Sequence, residues 1–217
     1  MELAKYIEHT NLKPDAAPAD IEKLVSEAVE FNFFGVCVNP MYVKLAKDLI
    51  LKSGKDIKVV CVVNFPLGAN KINTTLSQIK EAISDGADEI DTVINIGAVK
   101  SGNYKLAADE IFLQKNACGD KKLKVILETD LLTPAEIKVA CLNCVTSNAD
   151  FVKTSTGFVK DGTGATVENV KLMYSSVAKR GIGVKASGGI KSKLAALDLI
   201  ASGASRLGTS SGVQLVQ

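Results

Sequence analysis

The chain has 217 residues, 47% of them hydrophobic and 23% charged, which suits a single domain with a sizeable core and excludes a disordered chain. Its 26 basic and 24 acidic residues leave a net charge of +2, so no broad nucleic-acid footprint is expected. No stretch is apolar long enough to span a bilayer, and the charged segment Met1 to Pro14 lacks a signal-peptide core, so a cytoplasmic protein without a membrane partner is expected.

Short Val/Ile-rich runs alternate with amphipathic helical stretches along the whole length. A strand at Tyr6–Thr10 precedes a helix at Ala19–Phe31, and strands follow at Phe34–Val38 and Lys58–Val63. The next helix, Asn73–Asp85, stops at Gly86 and leads to strands at Glu89–Asn95 and Leu123–Glu128. Thr133-Pro134-Ala135-Glu136 is a capping box with proline in the first turn, opening a helix to Ser147. A strand at Asp150–Thr154, a helix at Thr166–Arg180, a strand at Gly183–Ala186, a helix at Lys191–Ser202 and a strand at Ser205–Gly208 complete the series.

The strands read as continuously hydrophobic, as parallel strands covered on both faces do. Three helix-to-strand joints also share a signature: Asp85-Gly86-Ala87-Asp88, Ser147-Asn148-Ala149-Asp150 and Ser202-Gly203-Ala204-Ser205. Repetition of one βα unit predicts an α/β fold, a TIM-type (β/α)8 barrel spanning residues 1–217 as one domain. An open flavodoxin-like or Rossmann sheet is the alternative, disfavoured because no first βα turn carries G-x-G-x-x-G.

Two lysines stand where strands rarely hold one. Phe151-Val152-Lys153-Thr154-Ser155-Thr156-Gly157 and Gly183-Val184-Lys185-Ala186-Ser187-Gly188-Gly189 each run from apolar residues through a lysine into a small, glycine-ended loop. A buried ammonium is costly unless paired or deprotonated. An amine beside a second cation loses its proton more readily and can attack a carbonyl to form a Schiff base. A snorkelling lysine at a strand end is the plain alternative for either residue alone.

Asp91, inside Glu89-Ile90-Asp91-Thr92-Val93-Ile94-Asn95, needs a cationic partner. A lysine across the barrel mouth is the natural one, either as a structural ion pair or as part of the chemistry. Glu128 reads as a support behind the site and Asp130 as a loop or cap residue. Gly188-Gly189 and Gly208-Thr209-Ser210-Ser211-Gly212 follow the last two strands, where such barrels hold phosphate, and each is expected to open a helix. Asp161 to Thr166 reads as a loop ending in a helix cap. His9 is the sole histidine, so neither a three-histidine metal site nor a serine triad with G-x-S-x-G fits the chain. Cys141 and Cys144 form a C-x-x-C on a helix without further ligands nearby, and the five cysteines read as reduced, partly buried thiols. Aromatic residues, at 5%, are too sparse for base stacking.

The order and spacing of these segments carry a resemblance. Ile7 to Pro14, Val36 to Pro40, Val62 to Gly68, Gly86 to Asp91, Lys124 to Thr129, Phe151 to Gly157, Val184 to Gly189 and Arg206 to Ser211 together make the chain similar to the deoxyribose-phosphate aldolases, a class I aldolase family. The resemblance implies reversible cleavage of 2-deoxy-D-ribose 5-phosphate to glyceraldehyde 3-phosphate and acetaldehyde, with no metal or organic cofactor. It implies Lys153 as the Schiff-base nucleophile, Lys185 as the cation that lowers its pKa, and Asp91 as their partner in proton relay. Gly157, Gly188, Gly189, Gly208, Ser210 and Ser211 match phosphate-holding positions, and Glu8, Thr10, Cys37, Lys124 and Thr156 match further substrate contacts. A homodimer is the family's habit, and phosphorylated sugars and aldehydes are the expected small-molecule partners. Two departures stand out: Glu8 replaces the usual aspartate, and the loop Phe158–Gly164 is longer and more charged than usual. A lysine-dependent barrel aldolase with another donor, or a catalytically silent phosphosugar-binding barrel, are the rival readings.

Overall fold

A computed structural model describes residues 2–217. Eight parallel strands close into a barrel in sequence order, β1 pairing with both β2 and β8. The strands are β1 (Ile7–Asn11), β2 (Gly35–Val38), β3 (Lys58–Val63), β4 (Glu89–Val93), β5 (Lys122–Ile126), β6 (Phe151–Lys153), β7 (Gly183–Ser187) and β8 (Arg206–Thr209). Around them run α1 (Pro18–Glu30), α2 (Val43–Ser53), α3 (Ile72–Ser84), α4 (Ile96–Lys100), α5 (Tyr104–Cys118), α6 (Pro134–Thr146), α7 (Val167–Val177), α8 (Lys193–Ala201) and α9 (Gly212–Val216). This is the TIM barrel the alternation of elements predicts, and it excludes the open sheet.

Local chemistry explains the joints. Thr133 and Glu136 cap α6 reciprocally: the Glu136 amide donates to Thr133 Oγ1 at 3.3 Å and the Thr133 amide to a Glu136 carboxylate oxygen at 2.7 Å. At the repeated helix exits Gly86, Asn148 and Gly203 all adopt positive φ, which turns the chain out of the helix and into the next strand. Gly203 has a second constraint, because a Cβ there would fall 2.3 Å from the Tyr174 ring on α7. The expected strands at 89–95 and 123–128 end two residues sooner, where the chain bends out of the sheet towards Asn95, the cap of α4, and into Glu128, which takes a left-handed φ.

Two apolar regions result. The large one lies between the barrel and its helices and is built from outward-facing strand residues such as Val36, Ile90 and Val125 with helix residues such as Ile21, Ile79 and Ile137. The small one lies inside the barrel, where Leu12, Cys37, Val60 and Val62 pack under Phe65. The remaining interior is charged, because β1, β4, β5, β6 and β7 turn Glu8, Glu89, Asp91, Lys124, Lys153 and Lys185 inward. All five cysteines are buried and unpaired; Cys141 and Cys144 belong to the outer core, and burial pushes both thiols up from their usual pKa. Phe33, fully buried where α1 returns to β2, is expected to cost about 3–5 kcal/mol when changed to alanine, read by chemical denaturation.

Candidate active site

Strand alternation places the charged residues. Glu89 and Asp91 are two apart on β4, so both point inward, while Ile90 between them packs outward. Lys153 on β6 stands level with Lys185 on β7 and beside Ile126 on β5. Three ammonium groups converge on one carboxylate. Lys124 Nζ donates to Asp91 Oδ1 at 2.9 Å, and Lys153 and Lys185 both donate to Oδ2, at 2.8 and 2.7 Å. Lys124 also pairs with Glu89 at 2.6 Å and approaches Glu8 at 3.4 Å, and Lys185 donates a short hydrogen bond to Glu8.

Burial alone would raise the pKa of Asp91, but the charges of Lys124, Lys153 and Lys185 hold it well below the usual carboxylate range. Burial likewise opposes ionisation of Glu8, and Lys124 and Lys185 reverse that too. Burial would lower Lys185, yet Asp91 and Glu8 raise it, so it keeps its proton; Lys124 is raised in the same way by Asp91, Glu8 and Glu89.

Above this network, at the C-terminal ends of the strands, opens a cavity of about 520 Å³. Lys153 lines it, whereas Lys124, Lys185, Asp91 and Glu8 are 0% exposed and lie beneath it. The wall also includes Thr10, Thr156, Gly157, Gly188, Gly189, Gly208, Ser210 and Ser211. Glu8, Cys37 and Lys124, expected as substrate contacts, are instead shut off from the cavity. Their side chains end in the barrel interior, the two charged ones bound to oppositely charged partners and Cys37 packed among valines.

The loops are tied to one another. Thr154 Oγ1 donates to the Ser187 carbonyl and accepts from the Ser187 amide, both at 2.9 Å, and Ser187 Oγ donates to the Ser155 carbonyl at 2.6 Å. These bonds couple the ends of β6 and β7, and so the two lysines just before them. The buried Glu128 carboxylate accepts from the amide and hydroxyl of Thr156; burial raises its pKa, against those bonds. Asp130 accepts from the Thr163 amide and hydroxyl and the Gly164 amide, pinning the loop 158–164 across the site. Gly164 must be glycine, because its φ is +72° and a Cβ would fall 2.4 Å from the Gly188 carbonyl oxygen. Lys160 in this loop is exposed.

A further expectation is corrected. Gly188-Gly189 does not open a helix: α8 begins at Lys193 with Ser192 as its cap, and the glycines form a left-handed turn against Thr163 and Gly164. Glu89 escaped sequence reading, although its i, i+2 spacing from Asp91 signals one strand face. Ser187, Thr209 and Lys191 also line the cavity and carried no separate signal.

A DeoC/LacD family aldolase profile matches residues 4–215. The chain belongs to this aldolase family. It is 50% identical over 216 residues to a deoxyribose-phosphate aldolase of Brevibacillus brevis, covering 100% of this chain and 96% of the relative, and 49% identical to one of Thermococcus gammatolerans at the same coverage. Among solved structures it is similar to QR15, an aldolase, with a TM-score of 0.93 and 42% identity over 99% of this chain and 94% of that one. This aldolase is therefore a carbon–carbon lyase built on a TIM barrel.

Removing the shared carboxylate leaves three buried ammonium groups underpaired. Asp91→Ala is expected to destabilise the fold by about 3–5 kcal/mol in chemical denaturation. Because the folded pKa values of Asp91 and Glu8 lie below their unfolded ones, their contribution is complete above about pH 4–5 and is lost as pH falls through the folded values. Thermal midpoints should thus hold steady down to about pH 5 and drop steeply below about pH 4, with a shallower acid limb in Asp91→Asn.

Proposed function

We propose that the chain, acting as one barrel domain over residues 1–217, cleaves 2-deoxy-D-ribose 5-phosphate reversibly into D-glyceraldehyde 3-phosphate and acetaldehyde, with Lys153 as the Schiff-base nucleophile. One observation carries the assignment: of the three lysines that meet on Asp91, Lys153 alone lines the cavity. Lys185 is enclosed and charged at rest, so it serves as the cation beside the reacting nitrogen and, paired with Asp91, as the standing proton source of the relay.

Lys153 hands its extra proton to Asp91, and the freed amine adds to the C1 aldehyde of the open-chain sugar. That proton returns to the carbinolamine oxygen, which leaves as water and gives a protonated imine. The imine accepts the electron pair of the C2–C3 bond as it breaks, while the C3 hydroxyl gives its proton to a water in the cavity and becomes the aldehyde of the three-carbon product. Protonation of the resulting enamine at C2 and hydrolysis release acetaldehyde and restore Lys153. Asp91 and Lys185, joined through Oδ2, pass that proton through a water in the cavity.

The phosphate is proposed to sit on the cavity wall formed by Gly157, Gly188, Gly189, Gly208, Ser210 and Ser211, with Thr10 and Thr156 facing the sugar between phosphate and imine. Gly157, Gly188 and Gly189 all hold positive φ, which brings bare backbone towards the ligand. This role belongs to the deoxynucleoside breakdown expected of the family, and the homodimer expected from the resemblance is part of the same proposal.

Acetaldehyde with sodium borohydride should add about 28 Da to the intact chain, confined to the peptide holding Lys153. Lys153→Met should abolish both labelling and cleavage while the protein stays folded. Labelling at Lys185 would exchange the two roles, and absence of specific labelling in folded protein would overturn the mechanism.

A further inference from the structure

The opposite end of the barrel has a cavity of its own. It occupies about 740 Å³ beneath the starts of β5 to β8, and its lining includes Lys122, Asp150, Phe151, Arg180, Gly183 and Arg206. Nothing in the aldolase mechanism uses it.

Its charge is unbalanced. Asp150 is the one carboxylate of the lining, and it is already engaged by Lys115 at 2.7 Å and by the Leu123 amide at 2.9 Å. Among the described residues neither Lys122 nor Arg180 forms an ion pair. Arg206 gives one bond to the Ser205 carbonyl at 3.0 Å, and its buried Nε has no hydrogen-bond partner, lying 3.8 Å from Glu8.

Two of the cations also lie against aromatic rings. The Arg206 guanidinium lies 3.5 Å from the centroid of the Phe34 ring and 5.7 Å from that of Phe151, and Lys122 Nζ lies 5.7 Å from the same Phe151 ring. That ring is seated over Gly183, where a Cβ would fall 2.3 Å from it. Cations gather at helix C-termini to offset the dipole, which accounts for Arg180 at the end of the turn after α7. It does not account for Lys122 and Arg206, which belong to strands and are braced on aromatic rings.

We propose that this mouth is a second anion site, in which Lys122, Arg180 and Arg206 hold a phosphate group. Two guanidinium groups and an ammonium line one open cavity, and a guanidinium can meet phosphate oxygens with two parallel hydrogen bonds. Arg206 also stands next to Glu8, so a ligand here acts on the ionic network from below.

Amide NMR of the full chain tests the site independently of catalysis. Titration with inorganic phosphate, and separately with glycerol 1-phosphate, should shift the Asn148, Gly181, Ile182 and Gly183 resonances saturably, apart from those of Gly157, Gly188 and Gly189. In the double variant Lys122→Ala/Arg180→Ala the affinity at the mouth should fall by about tenfold or more, with the shifts at the catalytic end retained. Tighter binding of the ester would identify an organic phosphate as the ligand, and equal binding the phosphate ion itself. Absence of saturable shifts at the mouth with either compound, or unchanged shifts in the double variant of native-like spectrum, would overturn the proposal.

Discussion

A single carboxylate, Asp91, allows three lysines to share the inside of a closed barrel. Each of these side chains would be driven out of a water-free interior if it stood alone. Together Glu8, Glu89 and Asp91 supply three negative charges, and Lys124, Lys153 and Lys185 supply three positive ones. The set is neutral as a whole, though each member depends on the others, and this is why both carboxylates that lose most solvent stay ionised. The balance also suits the proposed chemistry. A protonated imine on Lys153 keeps the positive charge of the ammonium it replaces, so the intermediate forms without upsetting the charge balance around Asp91.

The barrel can hold so many charges because it divides its interior by strand. The side lined by β2 and β3 is apolar, with Cys37, Val60 and Val62 packed together, and the ionic set occupies the side lined by β4 to β7 together with Glu8 of β1. Most of the core lies outside the barrel, between sheet and helices. Hydrophobic burial there offsets the cost of a polar interior. At the C-terminal ends of the strands the bonds between Thr154 and Ser187, and between Asp130 and the loop 158–164, remove freedom from the segments that bear the lysines and the proposed phosphate wall. A site held by such cross-links has its reacting groups oriented before a substrate arrives.

The loop after Gly157 is tied down rather than left free at the cavity mouth. Its charge does not enter the cavity as added basic character, since Lys160 is exposed. Its contribution is structural: Asp130 holds Thr163 and Gly164 against the turn at Gly188. Glu8 is accommodated in a comparable way. The carboxylate of this residue lies below the cavity, on Lys185 and within reach of Arg206, and supports the network there.

Much of this was legible in the chain itself. Apolar runs mark the eight strands, because burial on both strand faces demands it, and helical periods mark five of the connecting helices but not α2 or α5. The joints at Gly86, Asn148 and Gly203 specify turns because few residues accept positive φ. Lys153, Lys185 and Asp91 were legible for a similar reason, since a charge inside an apolar strand must be paired or chemically active. The tertiary structure alone decided how they are paired. Closing the barrel brought β1 and β4 across to β5, β6 and β7, placed three ammoniums on one carboxylate, and left Lys153 as the one facing the cavity. It also sealed Glu8, Cys37 and Lys124 beneath the floor, and turned Gly188-Gly189 into a loop contact. Local sequence sets which face of a strand a residue occupies, but its depth along the barrel axis and its partners across the interior depend on the stagger of eight strands, which only closure determines.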